Sequence, residues 1–276
     1  MKPVGLVAFD LDGTVGTSQG VPEQNRNMLR ELGQIPVVRV AATGRSLHSF
    51  FHSPYASLDV DYVVFSSGLG VFDARLRQIT ASQGLGQKQI EHITGVLLSR
   101  RVDFSLHLPV PDNHLFFVYR AGQGNPDLDT RCASNPGCLA WPEHLPQSAS
   151  QFLVILPPNA AHLYGQLQEA FSAFSVIRAT SPLDGQSLWL EIFPPTICKS
   201  RAVADLAGRY GFKPEQVLAV GNDYNDLDLL RWAGRGLVVA DSPPRLLQEF
   251  DHVGACADGG CAQAILRWLE EQKRSI

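Results

Sequence analysis

The chain is poor in the features that mark membrane proteins, secreted proteins and nucleic-acid-binding proteins. No apolar run approaches the length of about 20 residues that a membrane-spanning helix needs. The formal net charge is −4 at pH 7, so the chain lacks the basic surplus typical of nucleic-acid binding. The short apolar run near the N-terminus ends at Asp10 and does not form a secretion signal. We therefore expect a cytoplasmic protein that binds neither nucleic acid nor membrane.

The pattern of the five cysteines argues against a disulfide framework. The five cysteines are an odd number, are loosely spaced and come without a secretion signal. His252, Cys256 and Cys261 have side chains that bind zinc, but their spacings do not match the CxxC pattern common in zinc sites. We therefore expect buried thiols rather than disulfides or a zinc site.

What is present is an alternation of apolar strands and amphipathic helices at both ends of the 276-residue chain. Strands are predicted over 6–9, 36–41 and 62–65, with helices over 22–33 and up to residue 51. The pattern resumes with a helix over 200–210, strands over 216–220 and 237–240, and a helix over 262–271. Such alternation is typical of a doubly wound, Rossmann-like parallel sheet. In these sheets, functional residues lie beyond the carboxyl ends of the strands, where Asp10, Thr43 and Ser67 occur.

The middle of the chain has a different pattern. A helix over 87–100 precedes strands over 102–108 and 114–120, and a Gly/Pro/Asn-rich loop is predicted over 121–148. A strand over 152–156, a helix over 160–173 and strands over 174–179 and 187–193 follow. Adjacent strands without helices between them indicate an α+β module. We therefore expect an α/β core formed by 1–78 and 193–276, with 79–192 as an inserted cap domain.

Asp10 and Asp12 are the most informative residues of the core. Side chains alternate along a strand, so both carboxylates are expected to point the same way, and Gly13 permits a sharp turn after them. Asp-Gly is also a common signal for a solvated turn. Two close carboxylates repel unless they share a proton or bind a cation, and oxygen ligands favour Mg²⁺.

Three further signals occur in order along the core: Thr43-Gly44-Arg45, Lys199 at a helix start, and an Asn/Asp cluster after strand 216–220. Together with Asp10-x-Asp12, they resemble the haloacid dehalogenase-like phosphatase superfamily over the whole chain. The run Glu191-Ile192-Phe193-Pro194 before Lys199 resembles the Cof-like subfamily IIB.

The resemblance implies a Mg²⁺-dependent phosphatase acting on a small phosphorylated metabolite, with a sugar phosphate as the expected class. By this resemblance, Asp10 forms an aspartyl-phosphate and Asp12 acts as general acid and base. Asp226 would orient Lys199 or a metal-bound water. The implied phosphate-binding residues are Thr43, Gly44, Arg45, Lys199 and Asn225. The implied metal ligands are the Asp10 carboxylate, the Asp12 carbonyl and one side chain of the last cluster.

The last cluster departs from the subfamily pattern Gly-Asp-x-x-Asn-Asp. Aligned on Asn225-Asp226, the chain has Asn222 where the metal-binding aspartate normally stands, and Asp223 beside it. An amide oxygen is a Mg²⁺ ligand without charge, whereas Asp223 would bind directly or through water. The sequence leaves both alternatives open.

Two other functions also remain open at this stage. One is a sugar phosphomutase of the same superfamily, and the other is a catalytically weak sugar-phosphate-binding protein, suggested by Asn222. We expect the cap to close over the core and select the substrate, while the oligomeric state is left open with a monomer slightly favoured. The cap residues considered for substrate contact are His107, His114, Arg120, Arg131 and Arg178.

Overall fold

The structure is a computed structural model that describes residues 4–122, 124–181 and 183–274. The described residues up to Ala81 and from Cys198 onward form one compact unit, and those from Ser82 to Ile197 form another. Residues 1–3, 123, 182, 275 and 276, which were assigned above to the core or to the insertion, lie outside the described residues.

The first unit begins with five strands and two helices. In chain order they are β1 (Gly5–Phe9), α1 (Glu23–Leu32), β2 (Val37–Ala42), α2 (Leu47–Phe51), β3 (Tyr62–Phe65), β4 (Gly70–Asp73) and β5 (Gln78–Ser82). A 3-10 turn, Pro54–Ser57, lies between α2 and β3.

The second unit follows with its own strands and helices. These are β6 (Leu85–Gly86), α3 (Gln87–Arg100), β7 (Phe104–His107), β8 (Phe116–Tyr119), α4 (Pro126–Ser134), β9 (Cys138–Ala140), β10 (Ser148–Ala149), β11 (Phe152–Leu156), α5 (Leu163–Ala170), β12 (Ser175–Thr180) and β13 (Leu188–Phe193).

The chain then returns to the first unit. The closing elements are α6 (Lys199–Tyr210), β14 (Val217–Gly221), α7 (Leu227–Trp232), β15 (Arg235–Val238), α8 (Pro244–Glu249), β16 (Asp251–His252) and α9 (Gly260–Arg274).

The strands of the first unit form one sheet in the order β16-β15-β14-β1-β2-β3-β4-β5. The strands from β16 to β3 are parallel to their neighbours, and β4 returns antiparallel to β3. Side chains alternate across β1, so Leu6 and Ala8 pack in a cluster with residues of α6, α7 and α8. Helices α1 and α9 pack against each other, and the Ala262 amide donates to Asn25 Oδ1 (2.9 Å). Because β1 lies at the centre of this sheet, its carboxyl end is flanked on both sides by other strand ends.

The second unit is built on a six-stranded sheet in the order β12-β13-β11-β7-β8-β9. Neighbouring strands of this sheet are antiparallel to each other, except that β8 and β9 are parallel. The apolar side chains of α3 and α5 pack with one set of strand residues, including Phe104 and Phe152. Leu128 of α4 packs with the alternate set, including Phe116 and Leu153. This sheet therefore has an apolar core of its own.

Several elements differ from the prediction, and the segment 121–148 differs most. We expected a loop there, but it contains α4, β9 and β10. The residues that suggested a loop begin the helix, because the Asn125 side chain accepts from the Leu128 amide and Pro126 occupies the first turn. The predicted helix over 160–173 is shorter, since a 3-10 turn at Pro158–Ala160 precedes α5.

Within the part of the chain that the structure describes, no helix has the length and apolar character needed to cross a membrane.

Candidate active site

The site is built at the carboxyl end of β1. Asp10 follows the strand directly, its amide donates to Val220 O of β14 (3.0 Å), and the residue is only 4% exposed. Gly13 has φ +82°, a conformation that favours glycine, and it turns the chain away from the sheet. Leu11 points into the core. The central strand therefore places the buried carboxylate of Asp10 at the carboxyl edge of the sheet.

Lys199 joins Asp10 to Asp226. Its Nζ is fully buried and donates to Asp10 Oδ1 and to Asp226 Oδ1, at 2.7 Å in each case. Lys199 starts α6 and Asp226 precedes α7, so two helix starts supply the partners of the strand-end carboxylate. One ammonium between two carboxylates leaves one negative charge unbalanced, and a bound cation would offset it.

The protonation of this trio is set by burial and by the three charges. Burial alone lowers the pKa of Lys199, but the adjacent Asp10 and Asp226 outweigh it, so its pKa lies above its ordinary value. Burial raises the pKa of Asp10; Lys199 opposes this rise, while Asp226 and Asp12 reinforce it. Lys199 is therefore a fixed cation at the centre of the site.

Asp226 also holds the turn that follows β14. Its Oδ2 accepts from the backbone amides of Asn222 (2.9 Å) and Asp223 (3.2 Å). The Asp226 amide in turn donates to Asp223 O (3.0 Å). One carboxylate thus orients Lys199 and fixes the path of residues 222–226.

The Asn222 side chain of this turn meets Asp10 and Asp12. One terminal atom of its amide lies 3.0 Å from Thr14 Oγ1, 3.0 Å from Asp12 O and 3.3 Å from Asp10 Oδ2. With nitrogen at that position, the two amide hydrogens face these three oxygens. With oxygen there, oxygen atoms of Asn222, Asp12 and Asp10 face one another without a hydrogen between them.

This oxygen cluster fits Mg²⁺. Octahedral Mg²⁺ binds oxygen at about 2.0–2.1 Å, which places adjacent ligand atoms about 3 Å apart. Among the described residues, no group of three His, Cys, Asp or Glu side chains is arranged to hold a metal. A Mg²⁺ ion here would therefore be held by the Asp10 carboxylate together with the Asp12 carbonyl and the Asn222 amide oxygen.

Asp12 has a different environment from Asp10. We expected both carboxylates to leave one strand on one face, but β1 ends at Phe9 and the Asp12 side chain is 45% exposed. Arg45, predicted to bind phosphate, forms a two-point ion pair with Asp12, with Nε–Oδ2 at 2.6 Å and Nη2–Oδ1 at 2.7 Å. The Tyr55 hydroxyl donates to Asp12 Oδ1 (3.2 Å).

Tyr55 is the residue of this site that sequence reasoning missed. It lies in a short Pro/Ser-rich turn without helix or strand periodicity, so no pattern in the sequence marks it. Burial, followed by the Asp12 charge, raises the pKa of Tyr55 above its ordinary value, so the phenol remains a hydrogen-bond donor.

The Thr43-Gly44 segment follows β2 and is held by the next strand end. Thr43 is buried, and its amide donates to Val64 O (2.8 Å), so its hydroxyl is the donor that remains for the phosphate we expected it to bind. Ser67 has φ +57° and its amide donates to Thr43 O (2.9 Å). The Asn225 amide oxygen is buried and has no hydrogen-bond partner among the described residues.

The five side chains considered for substrate contact in the second unit have diverse environments. His107 is buried, and Arg131 lies over the rings of Phe116 (4.6 Å) and Trp189 (4.9 Å). Arg120 pairs with Asp129 at the surface.

The structure also describes all five cysteines as free thiols.

A sequence model of haloacid dehalogenase-like hydrolases matches residues 7–265. The chain belongs to this family. The HMP-PP phosphatase of Klebsiella pneumoniae is 24% identical over 280 residues, covering 96% of each chain. The match and this phosphatase relative confirm the predicted enzyme class, a phosphatase of the haloacid dehalogenase-like superfamily.

Solved structures of the superfamily share the fold. BT1666 of Bacteroides thetaiotaomicron, a haloacid dehalogenase phosphatase, has a TM-score of 0.80 at 17% identity, covering 96% of this chain and 95% of its own. BT4131, a subclass IIB sugar phosphatase, has a TM-score of 0.75 at 13% identity, covering 96% of this chain and 98% of its own. The predicted fold class, an α/β protein with a parallel-sheet core, is confirmed.

Proposed function

We propose that this phosphatase is Mg²⁺-dependent and hydrolyses a small phosphorylated metabolite, with sugar phosphates as the first class to test. The observation that carries the proposal is the buried trio in which Lys199 donates to both Asp10 and Asp226. It supports a carboxylate nucleophile beside a fixed positive charge, which phosphoryl transfer requires. The substrate class rests on relatives, since BT4131 is named a sugar phosphatase and the Klebsiella protein is named for HMP-PP.

Asp10 is the proposed nucleophile. Its carboxylate attacks phosphorus, the bond from phosphorus to the leaving oxygen breaks, and an aspartyl-phosphate forms on Asp10. Lys199 stabilises the charge that develops on the transferring phosphoryl group. The Thr43 hydroxyl, Gly44 and Asn225 are the remaining candidates for binding the phosphate. Held by Asp10, Asp12 O and Asn222, Mg²⁺ would offset the repulsion between the nucleophile and the phosphate.

Asp12 is the proposed general acid and base. It must leave its ion pair with Arg45 and take up a proton before the first step, in which it gives that proton to the leaving oxygen. In the second step it takes a proton from the attacking water and so returns to its protonated form. Water then breaks the aspartyl-phosphate and releases inorganic phosphate, which regenerates Asp10. Asp226 acts by holding Lys199 and residues 222–223 in place.

The test of the nucleophile is the substitution Asp10→Asn. Hydrolysis of 4-nitrophenyl phosphate is expected to fall at least about a thousandfold, because the covalent step is lost. The exposed Asp59 provides a matched control, and Asp59→Asn is expected to keep wild-type activity. Normal activity of the Asp10→Asn protein would overturn the mechanism.

The alternative of a phosphomutase is separated by product analysis. A hexose 1-phosphate is incubated with the protein and Mg²⁺. Release of free phosphate supports the hydrolase, whereas appearance of the hexose 6-phosphate supports the mutase. A protein that binds Mg²⁺ but turns over none of a broad metabolite panel would be the sugar-phosphate-binding alternative suggested by Asn222.

We propose in addition that residues 82–197 select the substrate. The support is that this unit interrupts the core sequence and has a sheet and an apolar core of its own. Alanine variants are expected to change the ratio of kcat/KM between sugar phosphates more than the rate on 4-nitrophenyl phosphate. Unchanged ratios in all of them would contradict this role. The positions to substitute are His107, His114, Arg120, Arg131 and Arg178.

A further inference from the structure

One buried hydroxyl ties the Asp12 side chain to the backbone of its own loop. Tyr55 is only 3% exposed, and its hydroxyl lies 3.2 Å from Asp12 Oδ1 and 3.4 Å from Leu11 O. Both acceptors belong to the segment that follows β1. The orientation of the carboxylate is thereby coupled to the path of this segment.

The Tyr55 ring is itself fixed by close packing. A Cβ atom at Gly16 would lie 2.8 Å from the ring atom Cε1 and 3.0 Å from the hydroxyl, so the ring contacts the loop backbone directly. The Tyr55 amide donates to Ser53 Oγ (3.3 Å) at the start of the 3-10 turn. The hydroxyl is therefore presented to Asp12 from a rigid support.

Arg45 holds the same carboxylate from a second direction. Besides its two contacts with Asp12, it donates through Nη1 to Ser49 Oγ of α2 (3.1 Å), and its guanidinium lies 5.2 Å from the Tyr55 ring centroid. Asp12 sits on a turn and is nearly half exposed, a setting in which a carboxylate would otherwise sample several rotamers. Tyr55 and Arg45 restrict it to one.

We infer that Tyr55 is a positioning residue, which holds the Asp12 carboxylate where it meets the leaving oxygen of the substrate. The inference rests on the proposed function, in which Asp12 transfers the proton as the bond to the leaving oxygen breaks. Tyr55 exchanges no proton with the substrate and acts through its contact with the Asp12 carboxylate. Its loss therefore weakens the two steps in which Asp12 transfers a proton, and the first of these depends on the leaving group.

The consequence is a selective dependence on the leaving group. An alcohol leaves as a strongly basic alkoxide unless it is protonated, so alkyl phosphates need Asp12. The 2,4-dinitrophenolate ion is stable without a proton, so its ester does not need Asp12 for the departure of the leaving group. Tyr55→Phe removes the hydroxyl and keeps the ring, which separates these two cases.

The experiment measures kcat/KM, which reports formation of the aspartyl-phosphate and not its hydrolysis, for the wild type, for Tyr55→Phe and for the control Tyr62→Phe. Tyr62 also loses a hydroxyl contact in the control, because its Oη lies 2.8 Å from Tyr210 Oη. With the alkyl phosphate that the wild type hydrolyses best, Tyr55→Phe is expected to lose about tenfold, and with 2,4-dinitrophenyl phosphate less than about twofold. Equal losses on both esters, or no loss, would overturn the inference.

A double-mutant cycle tests whether Tyr55 acts through Asp12. In an Asp12→Asn background, Tyr55→Phe is expected to cause no further loss on the alkyl phosphate. A further tenfold loss, roughly, would overturn the inference. Ser49→Ala removes the hydroxyl that accepts from Arg45. This variant is expected to lose about threefold on the alkyl phosphate and less on 2,4-dinitrophenyl phosphate, so it tests the positioning of Asp12 if Tyr55→Phe does not fold.

Failure of this inference is distinguishable from failure of the proposed function. If activity depends on Asp10 while Tyr55→Phe affects both esters alike, only the positioning role falls. If Asp10→Asn remains active, the mechanism falls and this inference falls with it.

Discussion

At the end of β14, the side chain that reaches the oxygen cluster is an amide, and this choice sets the charge of the proposed metal site. Asp10 and Asp226 carry two negative charges, and Lys199 compensates one of them. Asn222 adds none. A carboxylate at this position would bring a second uncompensated charge within about 3 Å of the others, which repels them without a cation and attracts Mg²⁺ strongly.

We therefore expect Asn222→Asp to bind Mg²⁺ at least about tenfold more tightly than the wild type. Without Mg²⁺ the same variant is expected to unfold at a lower temperature, because the added carboxylate faces Asp10. Isothermal titration with Mg²⁺ and thermal unfolding with and without Mg²⁺ measure both effects.

The neighbouring residue supplies the control for this prediction. Asp223→Asn removes a charge from the same turn, and its Mg²⁺ affinity is expected to stay within about twofold of the wild type. If Asp223→Asn weakens Mg²⁺ binding while Asn222→Asp leaves it unchanged, Asp223 is the ligand.

Sequence reasoning selected the residues at strand and helix ends but not their contacts. Asp10, Lys199 and Asp226 were predicted to act together, and the structure brings them within hydrogen-bond distance. The choice between Asn222 and Asp223 depends on the path of one turn, which Asp226 fixes from four residues away. Tyr55 was not found because its contact with Asp12 joins two segments that share no pattern.

At the scale of whole elements, periodicity decided which predictions held. The helix over 87–100 and the strands over 62–65 and 152–156 have the bounds predicted for them, because each carries an uninterrupted apolar pattern. Helix α4 was missed because Gly, Pro and Asn indicate a loop until it is known that they cap a helix. Strand β4 was not predicted either.

The cap of α4 gives a prediction for stability. The Asn125 side chain accepts from the Leu128 amide (3.2 Å) and donates to Ile155 O (3.0 Å), and both contacts are buried. Asn125→Ala is expected to lower the free energy of unfolding by about 2 kcal/mol, because the helix loses its cap and a buried carbonyl loses its donor.

Urea unfolding checks this value against the exposed Asn159 of the same unit. Asn159→Ala is expected to change the free energy of unfolding by less than about 0.5 kcal/mol. Similar losses in the two variants would contradict the role assigned to the cap.

At the scale of the whole molecule, a buried histidine in the second unit makes the free energy of unfolding depend on pH. His107 is buried, its Nδ1 donates to Asn113 O (2.9 Å), and its Nε2 lies 3.2 Å from Ser105 Oγ and 3.4 Å from Arg131 Nη2. A proton on Nε2 would face the Arg131 guanidinium. Burial, followed by the Arg131 charge, lowers the pKa of His107 to about 3.

The sign of the pH effect follows from this lowered pKa. At pH values between about 3 and the ordinary pKa of 6.5, the unfolded chain binds a proton at His107 that the folded chain does not bind. This group therefore lowers the free energy of unfolding as the pH falls below 6.5, by about 2 kcal/mol at about pH 5.

Urea unfolding at about pH 7 and about pH 5 tests the effect. His107→Gln keeps a donor and an acceptor but does not titrate, so its loss on acidification is expected to be about 2 kcal/mol smaller than that of the wild type. His144→Gln, at an exposed histidine of the same unit, is expected to behave as the wild type. Equal acid sensitivity of the wild type and His107→Gln would contradict the assignment.

The separation of Asp10 from Lys199 by 189 positions in the sequence also governs how the protein is made. At about 5 to 20 residues per second on the ribosome, Asp10 exists for about 10 to 40 seconds before its ammonium partner is synthesised. During that time β1 also lacks its neighbour β14, so the central strand of the future sheet has one open edge. All the strands of the six-stranded sheet, by contrast, are synthesised before residue 198. All strands of the six-stranded sheet of the second unit are therefore synthesised before the last strands of the first unit.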